Sequence, residues 1–158
     1  MSRGADGETN LRDYSPNDRE ACLAVFDSNV PEFFIPRERA EFAAFLDDLP
    51  GPYFVLEDER GVVAAAGYAV NPGAATADLC WDMVRGDLRG SGFGRRLTEA
   101  RLERIRREGS VRAVTLCTSQ HTRGFYERLG FVTLKVEPDG FYPGLDRYDM
   151  RLELEGNV

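Results

Sequence analysis

One stretch limits the architectures open to this chain more than any other. It is Val84-Arg85-Gly86-Asp87-Leu88-Arg89-Gly90-Ser91-Gly92-Phe93-Gly94-Arg95-Arg96-Leu97, where the hydrophobic period switches from that of a strand to that of a helix. Upstream, Thr76 to Val84 reads as extended chain. Downstream, Phe93 to Glu108 is rich in Leu, Arg, Glu and Ala, carries Phe93, Leu97, Ala100 and Ile105 as an apolar stripe, and stops at Gly109. Arg101 falls inside that stripe and breaks its regularity. Glycines at the junction permit unusual backbone angles and remove side chains, so successive amides can turn inward around phosphate oxygens. The helix starting there adds its positive end to the same spot, and Arg85, Arg89 and Arg95 can add full charges.

Other phosphate-binding loops fit less well. A dinucleotide fingerprint needs G-x-G-x-x-G within a βαβ unit, whereas Gly90 to Gly94 spell G-x-G-x-G. A P-loop needs Gly-Lys-Ser/Thr at the helix start, and the only lysine in the chain is Lys135. On this stretch alone, an ordinary glycine-rich turn stays open.

The surrounding chain supplies the frame. Thr9 to Tyr14 reads as a strand, and Ser15-Pro16 caps a helix to about Ser28. Pro31 and Pro36 bracket a connector with Phe33 and Phe34, and Arg37 to Leu49 repeats Ala40, Ala43, Ala44 and Leu46 at helical spacing. Pro50-Gly51-Pro52 ends that helix. Tyr53 to Leu56 and Val62 to Val70 form a hairpin about Glu59-Arg60-Gly61, and Thr76 to Val84 extends the same antiparallel meander. Beyond the long helix come a buried strand, Ala113 to Thr118, and a helix from about Thr122 to Leu129 stopped by Gly130. Two closing strands follow, Phe131 to Val136 and Tyr148 to Leu154, joined by a Pro- and Gly-rich loop spanning Pro138 to Gly144.

At 158 residues, 42% hydrophobic and 30% charged, the chain is expected to form one domain over 1–158, with 1–8 as a flexible tail. No apolar run is long enough to span a membrane and the N-terminal residues lack the apolar core of a secretory signal, so a cytoplasmic protein is expected. Cys22, Cys80 and Cys117 are odd in number and widely spaced, as reduced thiols would be. With His121 the sole histidine and no Cys-x-x-Cys pair, no metal is expected. A net charge of −7 argues against a nucleic-acid binder, although eight arginines between Arg85 and Arg107 face only three acids and can attract a polyanion locally. Arg104, Arg106 and Arg107 read as a solvated helix face.

Arg89-Gly90-Ser91-Gly92-Phe93-Gly94 resembles the Arg/Gln-x-x-Gly-x-Gly/Ala motif of the GNAT family of acyl-CoA-dependent N-acetyltransferases. Phe125-Tyr126-Glu127-Arg128-Leu129-Gly130-Phe131 resembles the family's second, helix-to-strand signature, and the order of elements matches along nearly the whole chain. Two positions depart: Val84-Arg85-Gly86 stands where many relatives carry Val-x-Pro, and Ser119 stands where an Asn is common. The resemblance implies an α+β fold: a mixed, mostly antiparallel sheet of about seven strands flanked by about four helices.

It also implies a chemistry. The diphosphate of acetyl-CoA would rest on Arg89, Gly90, Ser91, Gly92, Phe93, Gly94 and Arg95, and its pantetheine arm beside a strand bulge near Met83 and Val84, with Ser119 or Gln120 offering a further polar contact. Tyr126 matches the family's frequent proton donor to the departing thiolate. For the base, Asp78 and Asp82 lie at even spacing on one strand and so on one face, where an ordinary solvated face is the competing reading; His121 is the sole imidazole. Phe33, Phe34, Phe141 and Tyr142 can line an apolar slot for an amine acceptor, with Glu32, Asp139 or Asp146 to hold its charge. The expected partner is an amine on a small molecule, peptide or protein, and the expected state a monomer or homodimer. A non-catalytic acyl-CoA-binding module with this fold is the alternative.

Overall fold

Strand β1 (Asn10–Asp13) opens the computed structural model, which describes residues 9–154; the tail expected over residues 1–8 lies outside them. Ser15 is extended and Pro16 follows it into a 3₁₀ turn, Pro16–Asp18, which runs on into helix α1 (Arg19–Asp27). Proline is tolerated there because the first helical N–H has no partner in any case. The Ser15 N–H donates to Asp18 Oδ2 at 2.9 Å, and Arg12 closes on both oxygens of the same carboxylate, each at 2.8 Å. The arginine fork holds Asp18 below the usual carboxylate range.

After α1 come α2 (Glu38–Asp47), β2 (Tyr53–Asp58), β3 (Gly61–Asn71), β4 (Thr76–Val84), α3 (Phe93–Glu108), β5 (Ala113–Thr118), α4 (Arg123–Arg128), β6 (Val132–Tyr142) and β7 (Leu145–Glu153). The strands form one sheet in the order β1-β2-β3-β4-β5-β7-β6. β1 pairs with β2, β2 with β3, β5 with β7 and β6 with β7, all antiparallel, while β4 and β5 run parallel. Among the described residues, this is the mixed seven-stranded sheet with four α-helices that the resemblance implies.

The chain divides into two compact units. The first takes the residues up to Ala69 together with Cys80–Glu103. Its core joins Cys22, Leu23, Val25 and Phe26 of α1 to Phe42 and Leu46 of α2 and to Tyr53, Val55, Ala65 and Met83 of the strands. The helical residues recur at the three- and four-residue intervals that put them on one face. Phe26 stacks on Phe34 at 4.8 Å and on Phe42 at 5.8 Å, and Trp81 lies 5.1 Å from Phe42. Phe26 and Phe42, both fully buried, each contribute roughly 1.5–3 kcal/mol through burial. Burial also pushes the Cys22 thiol up to about 12, so it behaves as a small hydrophobe; Cys80 and Cys117 are likewise unbridged.

The second unit takes Val70–Leu79 and the chain from Arg104 onward, and buries Ile105, Ala113, Val114, Leu116, Tyr126, Phe131, Leu145 and Met150. Here one expectation needs correction. Pro138 to Gly144 is not a free loop: β6 continues to Tyr142, and only Pro143 and Gly144 separate it from β7. β6 ends the sheet order, where a proline that cannot donate to a ladder is tolerated. The register shifts between Glu137 and Tyr142, with Asp139 at φ 55°. The Asp139 N–H donates to Asp146 Oδ1 at 2.9 Å, and Asp139 Oδ1 accepts from the Gly144 N–H at 2.8 Å. Both carboxylates thus tie the hairpin tip together.

Candidate active site

The glycine-rich bend lies in the first unit. β4 ends at Val84, a 3₁₀ turn follows over Gly86–Leu88, and α3 begins at Phe93. Gly90 and Gly92 have φ of 83° and 94°, and a Cβ on either would meet no atom within 4 Å. Conformation rather than crowding therefore demands glycine at both. The Arg96 N–H donates to the Gly92 carbonyl at 3.0 Å. Helix geometry leaves the amides of Phe93, Gly94 and Arg95 without intrahelical acceptors, at the positive end of the dipole.

The connector after α1 braces the bend from both ends. Asn29, 4% exposed, donates through Nδ2 to the carbonyls of Val25 at 2.8 Å and Val84 at 3.0 Å, and accepts from Arg89 Nη2 through Oδ1. Ser28 Oγ accepts from the Gly86 N–H at 2.8 Å. Arg89 also lies 3.4 Å above the Phe33 ring, with Glu32 3.7 Å from Nη1. Partial burial weakens the hold of Arg89 on its proton, with Glu32 opposing. Ser91 Oγ donates to the Leu88 carbonyl, and Arg95 pairs with Glu99 one turn along. Phe33 therefore lies against the bend, whereas Phe34 stacks on Phe26 and sits 6.0 Å from Trp81 at the margin of the core.

β4 carries an irregularity at Trp81, whose φ of 46° is rare outside glycine. The expected position was near Met83 and Val84, two residues later. Tyr53 donates its hydroxyl to the Trp81 carbonyl at 2.8 Å, and burial raises that phenol well above its ordinary value. Met83 is buried in the core. Asp82 is gripped by Arg101, whose Nη1 and Nη2 each reach one carboxylate oxygen at 2.7 Å. The left-handed residue interrupts the alternation between Asp78 and Asp82, and the two end in different surroundings.

In the second unit Asp78 is exposed and accepts from Thr115 Oγ1 at 2.8 Å, its register partner on β5. Tyr126 is 7% exposed, with Phe125 and Phe131 packed edge-on at 5.0 and 5.7 Å. Ser119 organises the start of α4: its carbonyl accepts from Thr122 and Arg123 at 3.2 and 3.0 Å, and its Oγ from the exposed His121 N–H at 3.2 Å. Tyr142 ends β6, half-buried, paired with Leu145. Gln120 spans the hairpin tip, donating to the Gly144 carbonyl and accepting from the Asp146 N–H, both at 2.9 Å.

Sequence reasoning missed the bracing role of Asn29, which it placed only in a connector beside the acceptor, and the roles of Tyr53 and Arg101. Only Arg101 left a signal, as a charge within an apolar stripe. Among the described residues, no group of three or more His, Cys, Asp or Glu is placed to hold a metal ion, and no helix is long and apolar enough to cross a membrane.

The chain resembles solved structures over nearly its full length. A protein described as an acetyltransferase of the GNAT family from Desulfovibrio desulfuricans matches at TM-score 0.80 and 27% identity, covering 92% of this chain and 98% of that one. An aminoglycoside 6′-N-acetyltransferase complexed with coenzyme A matches at 0.77 and 15%, covering 94% and 99%. The ribosomal-protein-S18-alanine N-acetyltransferase from Escherichia coli matches at 0.76 and 20%, covering 94% and 97%. No curated protein matches the sequence. The profile of the acetyltransferase (GNAT) family matches residues 22–131, well over half of the chain and inclusive of the bend and Tyr126. The chain therefore belongs to the GNAT family of acetyltransferases.

Proposed function

We propose that this chain, working as one catalytic domain, is an N-acetyltransferase that moves an acetyl group from acetyl-CoA to a primary amine by direct attack, with both substrates bound. The observation that carries the reading is the bend. Two left-handed glycines stand immediately ahead of a 16-residue helix, so amides without helical partners and the helix dipole converge where a diphosphate is best held. Acetyl-CoA supplies the activated acyl group. Two of the similar structures are named for acetylation at nitrogen, which supports an amine acceptor.

Each residue then has a task. The amides of Gly90, Gly92, Phe93, Gly94 and Arg95 take the diphosphate, with Arg89 as a nearby cation, while the Ser91 N–H donates to the Leu88 carbonyl at 3.3 Å and shapes the bend. The Val84 amide, beyond Met83 and the irregularity at Trp81, donates to the thioester oxygen as negative charge builds on it. Ser119 contributes a polar contact for the pantetheine arm. The amine must be neutral to attack, and Asp78, exposed on β4, relays its proton to solvent. Asp82 is committed to Arg101 on both oxygens and is not assigned to that relay. Tyr126 protonates the departing thiolate, and Phe33, against the bend, and Phe34 are assigned to the acceptor.

The test is release of free CoA from acetyl-CoA across a panel of polyamines, aminoglycosides, amino acids and peptides. Tyr126→Phe is expected to lower kcat by about 10²-fold while leaving acetyl-CoA affinity within twofold. An unchanged rate removes the acid role. Tight binding of acetyl-CoA with no turnover across the panel would instead establish a non-catalytic module.

A further inference from the structure

We infer that Asp82 and Arg101 form a positioning clamp, which fixes the spacing between the amides opening α3 and the Val84 amide of β4 beyond Trp81 so that one acetyl-CoA is gripped at both places at once. The inference rests on the function proposed above.

Arg101 is 1% exposed on a helix that otherwise keeps most of its arginines in solvent. Burying a guanidinium is costly unless each donor finds an acceptor. Here Nη1 donates to Asp82 Oδ1 at 2.7 Å and to the Gly67 carbonyl at 2.9 Å. Nη2 donates to Asp82 Oδ2 at 2.7 Å and to Thr98 Oγ1 at 3.1 Å, and Nε reaches the Leu97 carbonyl at 3.3 Å. One side chain thus joins α3, β3 and β4. An apolar residue would complete the stripe of α3 with less desolvation, and a buried ion pair is a poor way to gain stability over such a replacement. What the two-pronged contact adds is direction: it sets both the distance and the rotation of helix against strand.

Its location gives that geometry a use. Asp82 follows the left-handed Trp81, whose carbonyl Tyr53 holds from within the core, and precedes Met83 and the Val84 amide. Arg101 lies on the helix whose first turn carries the Phe93, Gly94 and Arg95 amides. The clamp therefore connects the two segments assigned to the diphosphate and to the thioester arm. When one ligand spans two subsites, joining its halves multiplies their affinities by an effective concentration that depends on the spacing; the separate halves do not sense it.

The experiment measures binding by calorimetry and by NMR shift titration for acetyl-CoA, for 3′-phospho-ADP and for S-acetylpantetheine. It uses the full chain as wild type, as Arg101→Lys, which keeps a cation but loses the fork, and as the double variant Asp82→Leu/Arg101→Met, which strands neither charge. In both variants the acetyl-CoA Kd is expected to rise about tenfold or more while each half stays within twofold of wild type. The clamp is overturned if the halves weaken in step with acetyl-CoA, if acetyl-CoA affinity does not change, or if wild type gains nothing from joining the halves. If Arg101→Lys fails to fold by circular dichroism, the double variant decides. Failure of both to fold also overturns the inference, because the pair is then needed by the fold itself. A wild type that binds none of the three ligands overturns the proposed function instead.

Discussion

Arg95 and Arg101 stand six residues apart on α3, each with a carboxylate partner at nearly the same distance, 2.9 Å from Glu99 and 2.7 Å from Asp82. Their surroundings differ completely. Arg95 and Glu99 are 63% and 54% exposed, whereas Arg101 is 1% exposed and has three further acceptors. Distance alone therefore says little about what an ion pair does in this protein. Water decides: at the start of the helix it screens and competes, and at Arg101 it is excluded, so each unmet donor would be left without a partner. A third pair lies between these limits, Arg12 with Asp18, where the arginine is one-third exposed and the aspartate largely buried.

The most forceful way to break this comparison is to leave Arg101 without its carboxylate. Asp82→Ala is expected to lower the free energy of unfolding by about 3–5 kcal/mol, measured by urea denaturation, because a buried cation loses its partner. Asp78→Ala on the same strand should cost less than about 1 kcal/mol, since its exposed carboxylate can be replaced by water. Equal losses at the two positions would mean that burial is not what separates them. The double variant Asp82→Leu/Arg101→Met should recover most of the deficit of Asp82→Ala.

The intermediate pair sharpens the comparison through pH. Asp18 is held below the usual carboxylate range chiefly by Arg12, with the Ser15 N–H helping and burial opposing. The unfolded chain therefore takes up a proton at Asp18 at higher pH than the native one. Its stabilising contribution is complete above the ordinary carboxylate range and disappears as the pH falls through that range to the lowered native value. Asp18→Asn is expected to destabilise by about 1–2 kcal/mol at pH 7, and the gap between wild type and variant should begin to close below about pH 4, meeting only beneath the lowered native value. Parallel unfolding free energies from pH 7 to pH 3 would show that the carboxylate charge contributes nothing.

These contrasts also mark what was legible in the amino-acid order. α3 and β5 begin and end where their patterns indicate, at Phe93–Glu108 and Ala113–Thr118, because apolar period and terminal glycine are local signals. The bend was legible for the same reason: glycine at Gly90 and Gly92 reports directly on backbone conformation. Trp81 was not. Nothing local drives a tryptophan to positive φ, and its ring lies among Phe26, Phe34, Phe42 and Phe45, all distant in sequence. That one residue undid the expectation that Asp78 and Asp82 share an environment. The partnership of Asp82 with Arg101 spans 19 positions, and a single chain records no such pairing beyond the charge in an apolar stripe. The hairpin was misread because Pro138, Asp139 and Gly140 signal a turn in isolation, while an edge strand with a shifted register accepts them.

The smallest expected effect tests the other end of the scale. Glu99→Gln removes the charge that Arg95 faces but keeps the side-chain length and the helix propensity, so a change in stability reports the pair itself. The two residues sit four apart with the cation nearer the helix N-terminus, where the dipole disfavours it, and both are mostly hydrated. The loss should be no more than about 0.3–0.5 kcal/mol in low salt. It should vanish by about 1 M NaCl, where the screening length shrinks to about 3 Å. Asp82→Ala should keep most of its deficit in the same salt, because the buried partner it abandons is beyond the reach of counter-ions. A salt-insensitive loss at Glu99, or a salt-erased one at Asp82, would show that hydration does not rank these pairs.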